Sequence, residues 1–382
     1  MNEQSSPRIF IVMGAFATLL NMTGCSETPQ PTQQTEQPAQ IVDTVKEATT
    51  PLFFNDSLHQ YAQVLAGLDT QFYNKNEVYQ RYKTSANEAY ETFYSTKISP
   101  FEKWRSSSLD STKSGRGSVF YPFSGPDIVY AYSLYPNAAD YFLFGLEPIG
   151  VIPQWTASER DSMVNNLATL QHALSDQMKF SFFVTTHMSS DLNQQNANGV
   201  LPVLLFYMAR LNLRVVDIKH IAISDNGTLI DGESEIGKGL QIIFTKGNEQ
   251  ILQRLNYFST DISNPGYEKC KGLEALISAI DKSDVLIKSA SYCLHEEKYN
   301  RIRTQILKHA NSIVQDDTGV PYNYFQENEW YFKFFGSYQS PIPVFKQFYQ
   351  KEFHQKFREQ GIPIDFRFGY SNPSNILVVN RK

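Results

Sequence analysis

Apolar positions in residues 51–110 follow a helical period. A first set recurs at spacings of three and four: Leu58, Tyr61, Leu65, Leu68 and Phe72. A second set follows at the same spacings: Tyr79, Tyr82, Ala86, Tyr90 and Phe93. Each set therefore falls on one face of a helix. The pattern predicts two helices that form an N-terminal hairpin, and the polar run 106–118 after them predicts a loop.

Residues 111–382 alternate between strand-like and helix-like patterns. Short apolar runs predict strands at 119–123, 141–146 and 180–185. Amphipathic patterns predict helices at 127–134, 157–178 and 200–211. This alternation is typical of βαβ units. We therefore expect one α/β domain with a mixed sheet and a Rossmann-like alternation of strands and helices.

The middle of this domain predicts an antiparallel section. Asp225-Asn226-Gly227 separates two apolar runs, and Asn-Gly supplies the positive φ angles of a tight hairpin turn. The runs 240–246 and 252–262 are further strand candidates. The chain thus departs from simple strand–helix alternation here.

Two helices and a strand pair are predicted for the C-terminal part. The first helix carries the stripe Ile302, Ile306, Ala310 and Ile313, and the second carries Phe345, Tyr349, Phe353 and Phe357. The second helix should end at Gly361, because glycine commonly terminates helices. Residues 364–379 predict two strands around a turn.

The apolar run 9–22 has the length of a signal-peptide core. It is shorter than the roughly twenty residues that a membrane-spanning helix requires. The next residues, MTGC at 22–25, resemble the bacterial lipobox, although leucine is commoner where Met22 stands. The alternative is an ordinary secretory signal followed by an unrelated cysteine.

The lipobox resemblance implies a processing pathway and a location. Residues 1–24 would be a lipoprotein signal peptide, and Cys25 would carry palmitate and other acyl chains that anchor the protein to a membrane. Ser26, where aspartate would retain a lipoprotein in the inner membrane, implies an outer-membrane protein facing the periplasm. Residues 25–50 lack aromatic residues and are rich in Pro, Gln and Thr, so we expect a flexible tether.

Composition excludes several classes of function. The chain has 34 basic and 39 acidic side chains, a formal charge of −5, and no basic run, so nucleic acid is not an expected partner. Aromatic residues make up 14% of the chain, and most fall in periodic apolar patterns that favour core packing.

The histidines show no HxH or HExxH spacing, so we expect neither a metal site nor a cofactor. His187, after an apolar run, is a candidate site residue at the end of a strand.

The stretch YPFSGPD, at 121–127, is the first candidate for chemistry. It lacks the G-x-S-x-G pattern of a nucleophile elbow and the three glycines of a dinucleotide fingerprint. Glu147 nevertheless follows Gly125 at the separation of a ribose-binding carboxylate in Rossmann-type units. The alternative is a helix start in which Ser124 is the N-cap and Asp127 takes the capping-box position. A ligand site would consist of Ser124, Gly125, Asp127 and Glu147.

The second candidate is the acidic pair Asp316-Asp317, followed by Thr318-Gly319. Asp-Thr-Gly is the active-site tripeptide of aspartic proteases, which need two facing copies. This chain has one copy, and it follows a predicted helix, so a turn is favoured. The two acids could still line a cleft together with Glu147.

Cys270 and Cys293 complete the candidate residues. An exported protein meets an oxidising compartment, where a disulfide between them could form. Cys293 lies in an apolar segment and Cys270 in a polar one. Spacing does not determine whether they meet, so both a disulfide and two free thiols remain open.

Two blocks resemble those of a set of bacterial envelope proteins that have no assigned activity. The first is VFYPFSGPDIVYAYSLYPNAADYFLFGLEPIG at 119–150, and the second is IVQDDTGVPYNYF at 313–325. The shared patterns are YPFSGPD…GLEP and QDD(S/T)G(I/V)P. The resemblance runs from about residue 115 to the end. It implies that the chain is a member of this set of envelope proteins, but it implies no reaction. It suggests that the two blocks meet in space.

The sequence thus leads to two hypotheses. The first is a lipid-anchored envelope protein that binds an unknown small ligand or an envelope protein. The second is an enzyme with a Rossmann-like, degenerate methyltransferase-like cleft that uses Ser124, Asp127, Glu147 and Asp316 or Asp317. The enzyme requires these carboxylates to converge on one pocket.

Overall fold

The computed structural model describes residues 56–69, 71–109, 116–180, 182 and 199–382. The predicted signal peptide 1–24, the predicted tether 25–50, Cys25 and His187 lie outside the described residues.

Ten strands of the described chain form one mixed sheet. Their bounds are β1 (Ser118–Tyr121), β2 (Asp140–Gly145), β3 (Leu213–Ile223), β4 (Leu229–Asp231), β5 (Lys238–Lys246), β6 (Gln253–Ser259), β7 (Ser283–Ile287), β8 (Ala310–Gln315), β9 (Trp330–Gly336) and β10 (Asn375–Arg381). Their order across the sheet is β4-β3-β5-β6-β2-β1-β7-β8-β10-β9. The predicted α/β class with a mixed sheet is confirmed.

The helices of the described residues precede, connect and follow these strands. Their bounds are α1 (Asp56–Leu65), α2 (Glu77–Phe93), α3 (Ser99–Ser108), α4 (Ile128–Leu134), α5 (Ala157–Met163), α6 (Leu167–Phe180), α7 (Leu201–Arg210), α8 (Asn264–Lys269), α9 (Leu273–Ala279), α10 (Asn300–His309) and α11 (Lys351–Gln360). A π-helical turn, Tyr94–Ile98, joins α2 to α3. None of the helices described is both long and apolar enough to cross a membrane.

Five parallel strands form the centre of the sheet. β1 pairs in parallel with β2 and β7, β2 with β6, and β7 with β8. The strands on either side of this centre pair antiparallel: β5, β3 and β4 on one side, and β10 and β9 on the other. The predicted antiparallel middle section is confirmed, including the turn at Gly227, which has a φ of +85°.

Alternate side chains of the central strands enter two separate cores. On β1, Val119 and Tyr121 pack with α1–α7, whereas Phe120 packs with α8–α11 on the other face. Parallel strands covered on both faces are apolar throughout, which explains the continuous apolar runs in the sequence.

The chain path reverses between β1 and β7. The chain passes from β1 to β2, forms β3, β4, β5 and β6 on the far side of β2, then crosses to β7 on the opposite side of β1 and continues to β8. In open sheets of this kind, ligands bind outside the carboxyl ends of the strands at such a reversal. This position is where the fold would place a site.

Three sequence predictions in the second half were wrong. Ile313 lies in β8 and not in a helix, because α10 ends at His309 and Ala310 turns to an extended conformation. Residues 364–379 contain one strand and not two, since the partner of β10 is the unpredicted β9. The helix predicted from Phe345 begins only at Lys351, although it ends before Gly361 as expected.

The helix predicted at 157–178 is interrupted and extended. A 3-10 turn, Val164–Asn166, separates α5 from α6, and α6 continues through Phe180. Phe180 is therefore helical and does not begin the predicted strand, because the helical spacing of Leu170, Leu174 and Gln177 carries the helix to that point. The rest of that predicted strand, apart from residue 182, lies outside the described residues.

Candidate functional site

A pocket lies at the carboxyl ends of β1, β2, β6 and β7, where the chain path reverses. Its volume of about 170 Å³ is enough for several waters or a small molecule, since one water needs roughly 10–15 Å³. The polar side chains that line it are those of Ser124, Asp127, Glu147, Thr260, Asp261, Lys288, Ser289, Ser291 and Cys293, and its aromatic lining includes Phe123, Phe144, Phe182, Tyr299 and Tyr370. The residues predicted around YPFSGPD and at Glu147 therefore share one pocket.

The loop after β1 is held against the end of β2. Phe123 and Gly125 both have left-handed backbones, with φ of +58° and +52°. The amides of Ser124 and Gly125 donate to the carbonyl oxygen of Phe144 at 2.8 and 3.3 Å. The Ser124 hydroxyl donates to the same oxygen at 3.1 Å. Ser124 thus bonds a backbone carbonyl, which is not the arrangement of an activated nucleophile.

Asp127, and not Ser124, caps helix α4. Asp127 Oδ1 accepts a hydrogen bond from the Tyr130 amide at 3.3 Å, which is the N-cap interaction. The prediction of Ser124 as the N-cap was wrong. The physical reason is Gly125, whose positive φ cannot belong to the first turn of a right-handed helix.

Asp127 also forms a buried ion pair with Lys288. Lys288 Nζ lies 2.9 Å from Asp127 Oδ2, and the two side chains are 1% and 3% exposed. Asp127 further accepts from the Tyr121 hydroxyl at 3.0 Å and from Gln177 Nε2 at 2.6 Å. Both carboxylate oxygens therefore have partners, so Asp127 serves to hold the pocket together and is not free to act as a general base.

The neighbours of this pair keep it in place. Burial, and then the charge of Asp127, raise the pKa of Tyr121 well above its usual value, so Tyr121 remains a neutral donor. Lys288 Nζ also lies 4.0 Å from the centre of the Tyr130 ring, within the range of a cation–π contact.

Glu147 differs from Asp127 because one of its oxygens is unused. Its Oε2 accepts from the Tyr257 hydroxyl and from the Leu146 amide, each at 3.1 Å. Its Oε1 has no hydrogen-bond partner among the described residues. Glu147 is only 5% exposed. Burial and Glu147 raise the pKa of Tyr257 well above its usual value, so Tyr257 stays a neutral donor to Oε2.

Two hydroxyl groups of the pocket also lack partners. Thr260 Oγ1 and Ser289 Oγ are buried and have no hydrogen bond within the described chain. Thr260 follows β6 and is 8% exposed, and its amide donates to the Gly145 carbonyl at 2.9 Å, next to Glu147. Buried polar groups without partners are rare in folded proteins. A ligand with polar groups would satisfy them.

The loop after β7 has a strained backbone. Ser289, Ser291 and Tyr292 have φ of +55°, +50° and +55°. Each left-handed residue other than glycine costs about 1–3 kcal/mol and persists only where its surroundings enforce it. Such residues cluster at ligand-binding and active sites. Ser289 and Ser291 line the pocket, which favours a functional role for this loop.

Asp316 supports that loop from behind the pocket. Its Oδ2 accepts from the Ser289 amide at 2.9 Å, and its Oδ1 accepts from the amide of Thr318 at 3.0 Å and from the Thr318 hydroxyl. Thr318 Oγ1 in turn accepts from the Ala290 amide at 2.8 Å. A Cβ on Gly369 would lie 2.0 Å from Asp316 Oδ2, so glycine is required there. Asp316 positions the pocket wall but does not line the cavity.

Asp317 belongs to a different network. It accepts hydrogen bonds from the Tyr292 hydroxyl, from Ser371 Oγ at 3.2 Å and from Asn375 Nδ2 at 2.9 Å. Burial raises the pKa of Asp317, and burial together with the charge of Asp317 raises the pKa of Asp316 to about 7. The pair follows strand β8 and not a helix, but the sequence holds no second Asp-Thr-Gly copy to face it.

The predicted carboxylates therefore converge only in part. Asp127 and Glu147 line one pocket, and Asp316 reaches its wall through Ser289. Asp317 lies outside the pocket lining and bonds Tyr292 of the same loop as well as Ser371 and Asn375. The two sequence blocks lie on either side of the loop after β7, because Lys288 pairs with Asp127 of the first block and Ser289 donates to Asp316 of the second.

Cys270 and Cys293 are free thiols in this structure, so the disulfide that the sequence left open is not formed. Cys293 lines the pocket, and burial raises its pKa to about 11, which keeps it a thiol at neutral pH. Cys270 is buried in the core formed with α8–α11. Among the described residues, no group of three or more His, Cys, Asp and Glu side chains is arranged to hold a metal ion.

Lys288, Thr260 and Tyr257 were not predicted as site residues. The run DVLI immediately before Lys288 is short and apolar, which indicates a buried strand and could have drawn attention to the residue after it. Thr260 and Tyr257 carry no comparable signal, because only strand pairing brings β6 beside β2.

Comparisons with protein-family models, with curated proteins and with solved structures found no match to this chain.

The buried ion pair predicts a large loss of stability when it is broken. Lys288→Met leaves Asp127 buried without its counter-charge, so we expect the free energy of unfolding to fall by roughly 3–5 kcal/mol in urea denaturation. The matched control is Lys298→Met. Lys298 pairs with Glu296 at 3.0 Å but is 52% exposed, and its loss should cost less than about 1 kcal/mol. Equal losses in the two variants would show that burial of the Asp127–Lys288 pair is unimportant.

The raised pKa of Asp316 predicts a pH dependence of stability. The folded chain holds a proton on Asp316 at pH values where the unfolded chain, with an ordinary pKa of 3.8, has lost it. Stability therefore falls as the pH rises from about 4 to about 7. In Asp316→Asn this contribution should be absent, and urea denaturation at several pH values would measure it.

The difference between wild type and Asp316→Asn isolates this effect from other titrating groups. Burial lowers the pKa of His295 to about 4, so His295 makes stability rise with pH between about 4 and 6.5, the opposite direction. We expect the wild-type advantage over the variant to shrink as the pH rises. A constant difference across the range would contradict the assignment.

Proposed function

We propose that this protein is a lipid-anchored envelope protein whose α/β domain binds a small ligand at the carboxyl edge of its parallel strands. One observation carries the proposal. The pocket at the reversal of the chain path contains the buried hydroxyl oxygen Thr260 Oγ1 and the oxygen Oε1 of the buried Glu147 side chain, and neither has a hydrogen-bond partner within the described chain.

The unused polar atoms favour a ligand over a purely structural role. Asp127, Asp316 and Asp317 have their oxygens occupied by internal donors, as expected of groups that stabilise the fold. Glu147 and Thr260 do not. The left-handed loop after β7 lies across the same pocket, where strain is commonly retained for function.

The anchor and the location rest on the sequence at 22–25. Its resemblance to a lipobox supports acylation of Cys25, and Ser26 supports the outer membrane with the domain facing the periplasm. The membrane and an unknown small ligand, or a second envelope protein, are the proposed partners.

The strand order favours an enzyme as a second candidate. The order β6-β2-β1-β7-β8 is that of nucleotide-binding doubly wound sheets. An antiparallel strand, β10, then lies between β8 and β9, an arrangement similar to that of Rossmann-like methyltransferases. A fold alone does not establish an activity. Against catalysis stand the occupied oxygens of Asp127, the Ser124 bond to a carbonyl and the neutral thiol of Cys293.

Replacing the proposed acylated cysteine tests the anchor. Cells expressing Cys25→Ser should show no palmitate incorporation into the protein, and the protein should leave the membrane fraction. Cys270→Ser is the control and should be labelled like the wild type, because Cys270 is buried. Palmitate labelling that persists in Cys25→Ser would contradict the proposed localisation.

Filling the pocket tests ligand binding. A thermal-shift screen of the full chain in detergent, with a metabolite library that includes S-adenosylmethionine and NAD, should yield ligands that raise Tm. Thr260→Phe should abolish these shifts by occupying the cavity. Thr304→Phe, on the exposed side of α10, should retain them. Ligands that bind both variants equally would place the site elsewhere, and a shift with S-adenosylmethionine would favour the enzyme.

A further inference from the structure

The pocket carries more negative than positive charge. Asp127, Glu147 and Asp261 contribute three carboxylates, whereas Lys288 is the one cationic side chain among the described residues that line it. Lys288 is already paired with Asp127 at 2.9 Å. No positive charge is therefore left over for a phosphate or carboxylate ligand, and an anion would meet Glu147 and Asp261 in a partly enclosed space.

The unpaired atoms fit a pair of hydroxyl groups. Glu147 Oε1 can only accept hydrogen bonds, whereas the hydroxyls of Thr260 and Ser289 can both donate and accept. One ligand hydroxyl can donate to Glu147, and a neighbouring hydroxyl can bond the Thr260 hydroxyl in the same pocket. The two side chains follow adjacent parallel strands, β2 and β6, which lie about 4.8 Å apart in a sheet. Two neighbouring hydroxyls on one ligand match this arrangement.

Two glycines of the pocket lie against the Glu147 carboxylate. A Cβ on Gly125 would lie 3.7 Å from Glu147 Oε2 and 3.8 Å from Oε1, which are ordinary van der Waals distances. A Cβ on Gly145 would lie 2.4 Å from Oε2 and would displace the carboxylate. Glycine at position 145 is therefore required for the Glu147 carboxylate to hold its position in the pocket.

The walls of the pocket present aromatic rings. Phe123 and Tyr299 form one edge-to-face pair with ring centres 5.5 Å apart, and Phe182 and Tyr370 form another at 4.6 Å. Rings of this kind pack against flat or ring-shaped ligands. The pocket therefore combines a hydroxyl-binding carboxylate with surfaces for a ring.

From this geometry we infer that the ligand bears two neighbouring hydroxyl groups next to a ring system and carries no negative charge. Nucleosides without a phosphate and aryl glycosides share this chemistry. The inference rests on the proposed function, because it names the ligand class of the same pocket.

Binding of defined probes to the full-length protein in detergent tests the inference. Isothermal titration would compare adenosine and phenyl β-glucoside with two analogues, deoxyadenosine without the 2′-hydroxyl and adenosine monophosphate. We expect at least one hydroxylated probe to bind, and which of the two binds identifies the source. If adenosine binds, its deoxy analogue should bind roughly 10- to 100-fold more weakly, since a hydrogen bond to a charged group is lost. Adenosine monophosphate should bind at least roughly tenfold more weakly than adenosine, because the carboxylates of the pocket would repel its phosphate.

Two variants assign the effect to the pocket. Glu147→Gln replaces the accepting Oε1 by a donor, so the preferred probe should lose roughly 10- to 100-fold in affinity. If adenosine is that probe, its advantage over deoxyadenosine should also disappear. Thr260→Val keeps the shape of the side chain and should weaken binding about fivefold. Asp225→Asn, in the distant hairpin turn, is the control and should bind like the wild type.

The outcomes separate this inference from the proposed function. Tighter binding of the monophosphate, or equal binding of adenosine and deoxyadenosine, would overturn the ligand class. So would a failure of all hydroxylated probes, even if the library screen yields other ligands that Thr260→Phe excludes. In these cases the proposed binding function would stand. If the screen yields no ligand sensitive to Thr260→Phe, both proposals fail.

Discussion

The buried ion pair between Asp127 and Lys288 connects the two halves of the sheet at the point where the chain path reverses. One partner follows β1 and the other follows β7. Removing both charges from water is costly, and the pair is stable only because further donors complete its hydrogen bonds. Tyr121 and Gln177 supply these donors. The positions of the loop after β1 and of the loop after β7, and with them the shape of the pocket, depend on this pair.

The crowded carboxyl edge of the sheet constrains the backbone around it. Glu147 and Asp316 occupy space that a side chain on Gly145 or Gly369 would otherwise fill. Ser289 adopts an unfavourable left-handed conformation there. The hydrogen bond from its amide to Asp316 compensates for part of the free-energy cost of that conformation. The carboxylates of Glu147 and Asp316 therefore fit at this edge only because positions 145 and 369 are glycine.

The four acidic residues predicted around the site divide into two groups by their hydrogen bonds. Asp127, Asp316 and Asp317 are surrounded by internal donors and hold loops together. Glu147 keeps one oxygen without an internal partner, in the same pocket as the unpaired hydroxyl of Thr260. This difference favours the end of β2, and not the acid-rich QDDTG block, as the place where a ligand would bind. Because the oxygens of the three aspartates are occupied by internal donors, the described residues fit a binding role better than an acid–base mechanism.

The sequence by itself determined the class of fold, the hairpin at Gly227 and the grouping of Ser124, Gly125, Asp127 and Glu147, because these follow from periodicity and from turn and strand-end positions. Only the tertiary structure decided that Asp127 caps α4, since this depends on the left-handed Gly125. The tertiary structure also decided which further residues line or support the pocket. Lys288, Thr260 and Tyr257 are far apart in sequence, and non-local strand pairing, which local patterns do not encode, brings them together.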